Sequence, residues 1–362
     1  MTFLQMTRPI RRPARSGRFL SAIAASAVLV SLGSCASNPT PSDSTVAPTD
    51  DSVEELRVVT TFLPITQFTR AVAGDRAEVT QLIPANTGPH DYQAKPADVQ
   101  NLAEADVLVE NGLELEEFLE DMVANAENPG LQTINSSEGI ATIANEAVEG
   151  HAEGEAHSHA EGEEHAEGEA GHSHEGEYNP HVWLDPKRAI QQVENIRDGL
   201  IAADPEGEAE YTANAAAYIE QLQELDDEIT ATLNPYSGQT FVAFHDFAPY
   251  FANSYGLEAE FLVDVPEESP SPEDVKRVSD EVSESDLKTI LSEPQAGEDA
   301  LSALAQDLGI TVSLFDPIET GGPEAMEPEY YFTVMRQNVE NLASAFGGSA
   351  QSSLPGLVRV GG

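Results

Sequence analysis

From Leu56 onward the chain alternates short runs of β-branched and apolar residues with stretches whose apolar positions recur every three or four residues. LRVVTTF, AEVTQLIP, DVLVEN and LQTINSS have the pattern of strands, and PITQFTRAVAG, KPADVQNLAEA and LEEFLEDMVANAE that of the helices between them. This rhythm predicts a parallel sheet covered by helices. PHVWLD reads as a short extended piece, followed by the helix PKRAIQQVENIRDGLIAAD. Between Glu206 and about Leu233, the residues Tyr211, Ala215, Tyr218, Leu222, Leu225, Ile229 and Leu233 form one apolar stripe. Such a helix extends about 40 Å, enough for a rigid strut between two domains. Asn234-Pro235 stops it. A second series then begins, with strands at TFVAFHDF, LEAEFLVDV, LKTILSEP and ITVSLFDP. The intervening helices are FAPYFANSYG, SPEDVKRVSDEVSESD and EDALSALAQDLG, and EPEYYFTVMRQNVENLASAFG closes the chain's folded part.

The expected fold class is therefore α/β: two open parallel-sheet lobes joined by one long helix. The N-terminal lobe is expected at 56–205, interrupted by an insertion at 149–178, the linking helix at 206–234 and the C-terminal lobe at 235–350. Residues 351–362 read as a tail. Loops at the carboxyl ends of the strands in two such lobes meet at a shared cleft, where ligands of this architecture bind.

Residues 1–34 do not fit the rhythm. Arg8, Arg11, Arg12, Arg15 and Arg18 precede the apolar run FLSAIAASAVLVSLG, the pattern of a secretory signal. The run is shorter than the roughly 20 apolar residues that span a membrane. It ends at Leu32-Gly33-Ser34-Cys35, which resembles a bacterial lipobox, so Cys35 is a candidate for lipidation. As the single cysteine it forms no intrachain disulfide. The Ser/Thr/Pro/Asp-rich stretch at 35–55 reads as a disordered tether. The expected location is the periplasm or the outer face of the cytoplasmic membrane, and a monomer is expected. The formal net charge of −47 excludes nucleic acid as a partner. It suits a salty habitat as well as cation binding, so acidity alone assigns no metal site.

The histidines change the picture. Six of nine, His151, His157, His159, His165, His172 and His174, lie in one low-complexity run with glutamate and glycine. A run this polar has no core to bury, and its composition suits weak metal collection or an inert solvated loop. His90, His181 and His245 stand apart, each on an expected strand-to-helix connection, as does Asp316. Three imidazoles and a carboxylate form a nitrogen-rich set suited to Zn²⁺ in a tetrahedral shell. Each residue also has a plainer reading. His90 fits a surface or capping histidine, His181 a strand-edge hydrogen-bonding group, His245 a core histidine, and Asp316, before Pro317, a turn start. Glu293 and Asp246 are candidates to orient an imidazole, or simply solvated carboxylates. No HExxH segment marks a zinc hydrolase, the reading from another class.

Read together, these blocks resemble a known family, the metal-binding substrate-binding proteins of ABC importers (cluster A-I), and within it the zinc-specific type. The resemblance covers roughly residues 56 to 348. It rests on GPHDYQAKPADVQNLAEADVLVENGLELEEFLE, NPHVWLDP, DPEGEAEYTANAAAYIEQLQELDDEI, FVAFHDFAPYFANSYGL, SPSPEDV, LSEPQ and LFDPIET. It implies two lobes bridged by a rigid helix, with the metal held at the lobe interface by His90, His181, His245 and Asp316. It further implies capture and release of Zn²⁺ without catalysis, an ABC permease and its ATPase as partners, and attachment to the membrane through Cys35. A third imidazole at His245 resembles the zinc type, since manganese-type relatives usually carry a carboxylate there. A manganese- or iron-binding member and an extracellular zinc buffer or adhesin remain as other readings.

Overall fold

The computed structural model describes residues 55–90, 92–145, 176–266, 269–284, 287, 289–294 and 298–347. Strands β1 (Leu56–Thr60), β2 (Ala77–Gln81), β3 (Val107–Glu110) and β4 (Gln132–Asn135) form one sheet. All its pairings are parallel, in the order β2-β1-β3-β4. β5 (Thr240–His245), β6 (Glu258–Val263), β7 (Thr289–Ser292) and β8 (Thr311–Leu314) repeat the pattern as β6-β5-β7-β8. The helices fall where the 3.6-residue pattern put them: α1 (Leu63–Ala73), α2 (Pro96–Glu104), α3 (Phe118–Ala126), α4 (Pro186–Ala203) and α5 (Glu208–Leu233). α6 (Pro249–Tyr255), α7 (Pro272–Glu284), α8 (Glu298–Leu308) and α9 (Pro328–Ala345) follow. No helix among the described residues is long and apolar enough to cross a membrane.

The central strands are buried on both faces, as parallel strands covered by helices must be. Val58 and Val59 are neighbours on β1 yet enter different apolar clusters, because successive side chains leave a strand on opposite faces. Val59 joins Leu102 of α2 and Met122 of α3 on the outer face of the first sheet. On the second sheet Val242 meets Val278 of α7 and Leu301 of α8 in the same way. The inner faces share one continuous cluster, which takes in Phe62, Trp183, Phe241, Phe315 and Tyr331.

α5 runs along that shared core. Its buried residues are the seven of the apolar stripe: Tyr211, Ala215, Tyr218, Leu222, Leu225, Ile229 and Leu233. Polar contacts fasten it to both halves. Asn214 donates to the Val72 carbonyl at 3.1 Å, and the Tyr218 hydroxyl to that of Pro328 at 3.1 Å. Nearer its C-terminus, Glu228 pairs with Arg336 of α9 at 2.6 Å.

One element differs from the sequence pattern. PHVWLD is not extended: Val182–Leu184 is a 3-10 turn leading directly into α4. The turn buries all three of its side chains, Trp183 and Leu184 in the shared core and Val182 in a separate small cluster with Ile140 and Tyr250. Asp185 then caps α4, its side chain accepting the Lys187 N–H at 3.1 Å. The chain segments at the two ends of the expected insertion pair with each other. Ala144 and Tyr178 form an antiparallel bridge, and Asn179 N–H donates to the Ile143 carbonyl at 2.9 Å. These contacts make a two-stranded neck at its base.

Candidate metal centre

Four side chains from four loops converge. His90 follows β2, His181 ends the neck and opens the 3-10 turn, His245 is the last residue of β5, and Glu319 follows β8. One ligand atom from each lies within 4.8 Å of the others. The Glu319 carboxylate sits 3.3 Å from His90 Nε2, 3.2 Å from His181 Nε2 and 3.5 Å from His245 Nε2. His181 Nε2 and His245 Nε2 are 3.2 Å apart. Tetrahedral Zn²⁺ with bonds near 2.0–2.1 Å separates its donors by about 3.3 Å, so these spacings match the edges of such a shell. The His90 side chain is 5 % exposed and the other three are fully enclosed.

Each enclosed imidazole is oriented through its other nitrogen. Glu293 Oε1 accepts from His245 Nδ1 at 2.7 Å and from the His245 backbone N–H at 3.1 Å. Asn179 Oδ1 receives the His181 backbone N–H and faces His181 Nδ1, both at 3.0 Å. The Asn179 amide nitrogen donates to the carbonyl and carboxylate oxygens of Asp246, at 2.7 and 3.0 Å. That fixes the Asn179 oxygen toward the ring. A nitrogen so engaged leaves Nε2 of each ring as the atom turned toward Glu319. Asp246 therefore reaches His181 through Asn179, a residue whose only signal in the sequence is its place in NPH.

Asp316 is not in the group. Its carboxylate turns back to accept the Ile318 N–H at 2.8 Å, while Asn338 grips its backbone N–H and carbonyl at 2.8 and 2.7 Å. Burial pushes the Asp316 carboxyl up to about 6; the Ile318 hydrogen bond opposes this, and the nearby charges of Glu319 and Glu293 add to it. Ile318 has φ 63°, a left-handed conformation that a β-branched residue rarely adopts. That turn carries the chain into position for the carboxylate three residues beyond Asp316 to join the imidazoles. The expectation for Asp316 is corrected accordingly: Glu319 occupies the place, and Asp316 shapes the turn that aims it.

The loop bearing Glu319 is docked against the first half. Trp183 Nε1 donates to the Pro317 carbonyl at 2.8 Å, Gly321 N–H to that of Ala85 at 2.7 Å, and Gln67 Nε2 to that of Ala325 at 2.5 Å. Glu319 is thus held between elements far apart in sequence.

The buried charges are set against one another. Burial lowers the His181 pKa to about 3, against the pull of Glu319 and with the repulsion of the other imidazoles. Burial acts the same way on His245, but the charges of Glu293 and Glu319 outweigh it and hold His245 at about 10. Burial raises the Glu319 carboxyl, yet its imidazole neighbours keep it well below the usual carboxylate range. His151, His157, His159, His165, His172, His174 and Cys35 lie outside the described residues.

Comparison with known proteins fits this geometry. The family described as the periplasmic component A of the zinc-uptake complex matches residues 58–345. Zinc-binding protein AdcA of Streptococcus pyogenes is 33% identical over 290 residues, covering 80% of this chain and 55% of that protein. The chain thus spans about half the length of that streptococcal relative. The manganese-binding lipoprotein MntA of Halalkalibacterium halodurans is 29% identical over 299 residues, covering 82% of this chain and 90% of MntA. Among solved structures, the Zn(II)-bound ZnuA-like domain of Streptococcus pneumoniae AdcA has a TM-score of 0.64 at 29% identity, covering 80% of this chain and 98% of that domain.

Proposed function

The chain belongs to the family of the periplasmic zinc-uptake component A, and on that premise we propose that it captures Zn²⁺ outside the cytoplasm and delivers it to an ABC permease and its ATPase. In this reading His90, His181, His245 and Glu319 are the four ligands. The observation that carries it is the enclosure of three imidazole nitrogens and one carboxylate oxygen at the spacing of a tetrahedral shell. Such a shell is closed by protein, with no coordinated water to activate, so its chemistry is capture and release rather than hydrolysis. Cys35 would carry a lipid that holds the protein at the membrane surface. The His-rich run between the first two ligands would collect zinc weakly.

The test is elemental analysis of protein purified without added metal. We expect one tightly held zinc per chain in the parent and none in His181→Ala, which removes an enclosed donor. A parent that carries no metal would defeat the assignment. The similarity to MntA makes manganese the competing reading. Nitrogen-rich donor sets favour zinc, while manganese suits oxygen donors. A parent that retains manganese in preference to zinc would decide for that reading.

The charge arrangement adds a pH dependence. Metal-free His245 holds its proton up to about pH 10, and zinc must displace that proton to reach Nε2. His181, with its pKa lowered, is already neutral and adds no competing proton. Zinc affinity should therefore rise about tenfold per pH unit through roughly pH 7 to 9 and level off above the His245 pKa. Calorimetry in buffers of different ionisation enthalpy should show about one proton released per zinc at pH 7. Proton-independent binding across that range would contradict the His245 assignment.

A further inference from the structure

The turn after β3 places three consecutive residues in left-handed backbone: Gly112 at φ 82°, Leu113 at 57° and Glu114 at 62°. Glycine suits the first, since a Cβ there would lie 2.4 Å from the Asn135 side chain. Leu113 and Glu114 have side chains that disfavour this conformation. Buried Glu116 braces the turn, accepting the Thr61 hydroxyl at 2.7 Å and the N–H groups of Asn111 and Gly112 at 2.8 and 3.1 Å. Backbone held in a disfavoured region needs a reason, and such outliers gather at functional sites.

The strain positions one carboxylate. Glu114 Oε2 accepts the backbone N–H of Glu177 at 2.9 Å. Gly176 comes so close that a Cβ there would stand 2.9 Å from the same oxygen. Glu177 belongs to the neck, where its carbonyl receives the Asn145 N–H at 3.2 Å and its neighbour Tyr178 bridges Ala144. The next residue is Asn179, whose side-chain oxygen faces His181 Nδ1. Tyr250 locks that end of the neck, its hydroxyl accepting the Ile143 N–H at 3.0 Å and donating to the Asn179 carbonyl at 2.8 Å. A cavity of about 260 Å³ lies against the clasp, lined by Glu114, Gly176, Tyr178 and His90 among others.

We propose that Glu114 is a positioning residue of the metal centre: its strained turn clasps the neck at Glu177 so that Asn179 meets His181 in the orientation that presents Nε2. The proposal rests on the zinc-capture reading above. Its work is to keep His181 in place while zinc is held, so it acts on the release rate.

The test uses the full chain, measuring zinc release to a fluorescent chelator and the melting temperature of the metal-free protein. Glu114→Gly relieves the left-handed strain and unclasps the neck, so its metal-free Tm should rise while zinc leaves about tenfold faster. Glu114→Gln keeps an oxygen that accepts the same N–H and should release zinc within about twofold of the parent. Opposite movement of the two readouts separates positioning from a merely structural role. Release at the parent rate in Glu114→Gly overturns the proposal, as does a Gln variant that releases zinc as fast as the Gly variant. Loss of stability and of zinc together in Glu114→Gly also overturns it. A parent that holds no zinc overturns the zinc-capture reading, and this proposal with it.

Discussion

Glu319→Ala will weaken zinc binding about a thousandfold or more, while Asp316→Ala will weaken it only about tenfold. Glu319 supplies the one carboxylate oxygen in the group of donors and lies fully enclosed beside three imidazoles. On the proposed reading, removing it takes away a ligand and the negative charge that faces the dication, and a neutral water in the space left replaces the donor but not the charge. Asp316 acts one step away, through the hydrogen bond that stabilises the left-handed turn at Ile318. Asp316→Asn, which keeps an acceptor for the Ile318 N–H, should bind almost as the parent does. Competition against a chelator of known affinity measures all three variants. The reverse order, with Asp316→Ala the worse, would return Asp316 to the metal and remove Glu319 from it.

Trp183→Ala will cost the fold about 3–5 kcal/mol and zinc affinity along with it. The indole is the largest fully buried side chain. It packs edge-on to Phe62 at 4.9 Å and lies 5.0 Å from the His181 ring. It also donates to the Pro317 carbonyl, so its loss leaves a cavity and undocks the loop that carries Glu319. Trp183→Phe separates the two effects, restoring most of the packing without the donor. Its urea midpoint should recover most of the loss, while its zinc affinity should recover less. A parent-like midpoint in Trp183→Ala would show that the shared core does not depend on this residue.

Much of the fold was legible because its signals are local. The β-α alternation, the breaks at Asn234-Pro235 and the stripe on α5 each arise from neighbouring side chains and helical or strand periodicity. VWL was misread because three consecutive apolar residues fit a buried strand and a buried turn equally. The choice fell to tertiary packing, which seats Trp183 and Leu184 in the shared core and Val182 against Ile140 and Tyr250.

The site was legible in part for the same reason. His90, His181 and His245 each stand on a strand-to-helix connection, and parallel strands bring those connections to one edge of each sheet. The carboxylate was another matter. Asp316 and Glu319 both lie in LFDPIET, and nothing local favours the second. Asn179 was missed because an amide two residues before a histidine carries no periodic or compositional signal.

The sequence by itself determined the two sheets, the long helix that spans them and the three imidazoles offered at the loops, since these follow from backbone periodicity and from where parallel strands end. Only the tertiary structure decided that Glu319 and not Asp316 joins them, and that Asn179 and Glu293 set the ring orientations. The physical reason is one of reach. A side chain's direction depends on backbone angles such as φ at Ile318, and those are held by partners such as Trp183 and Asn338 that no local window contains.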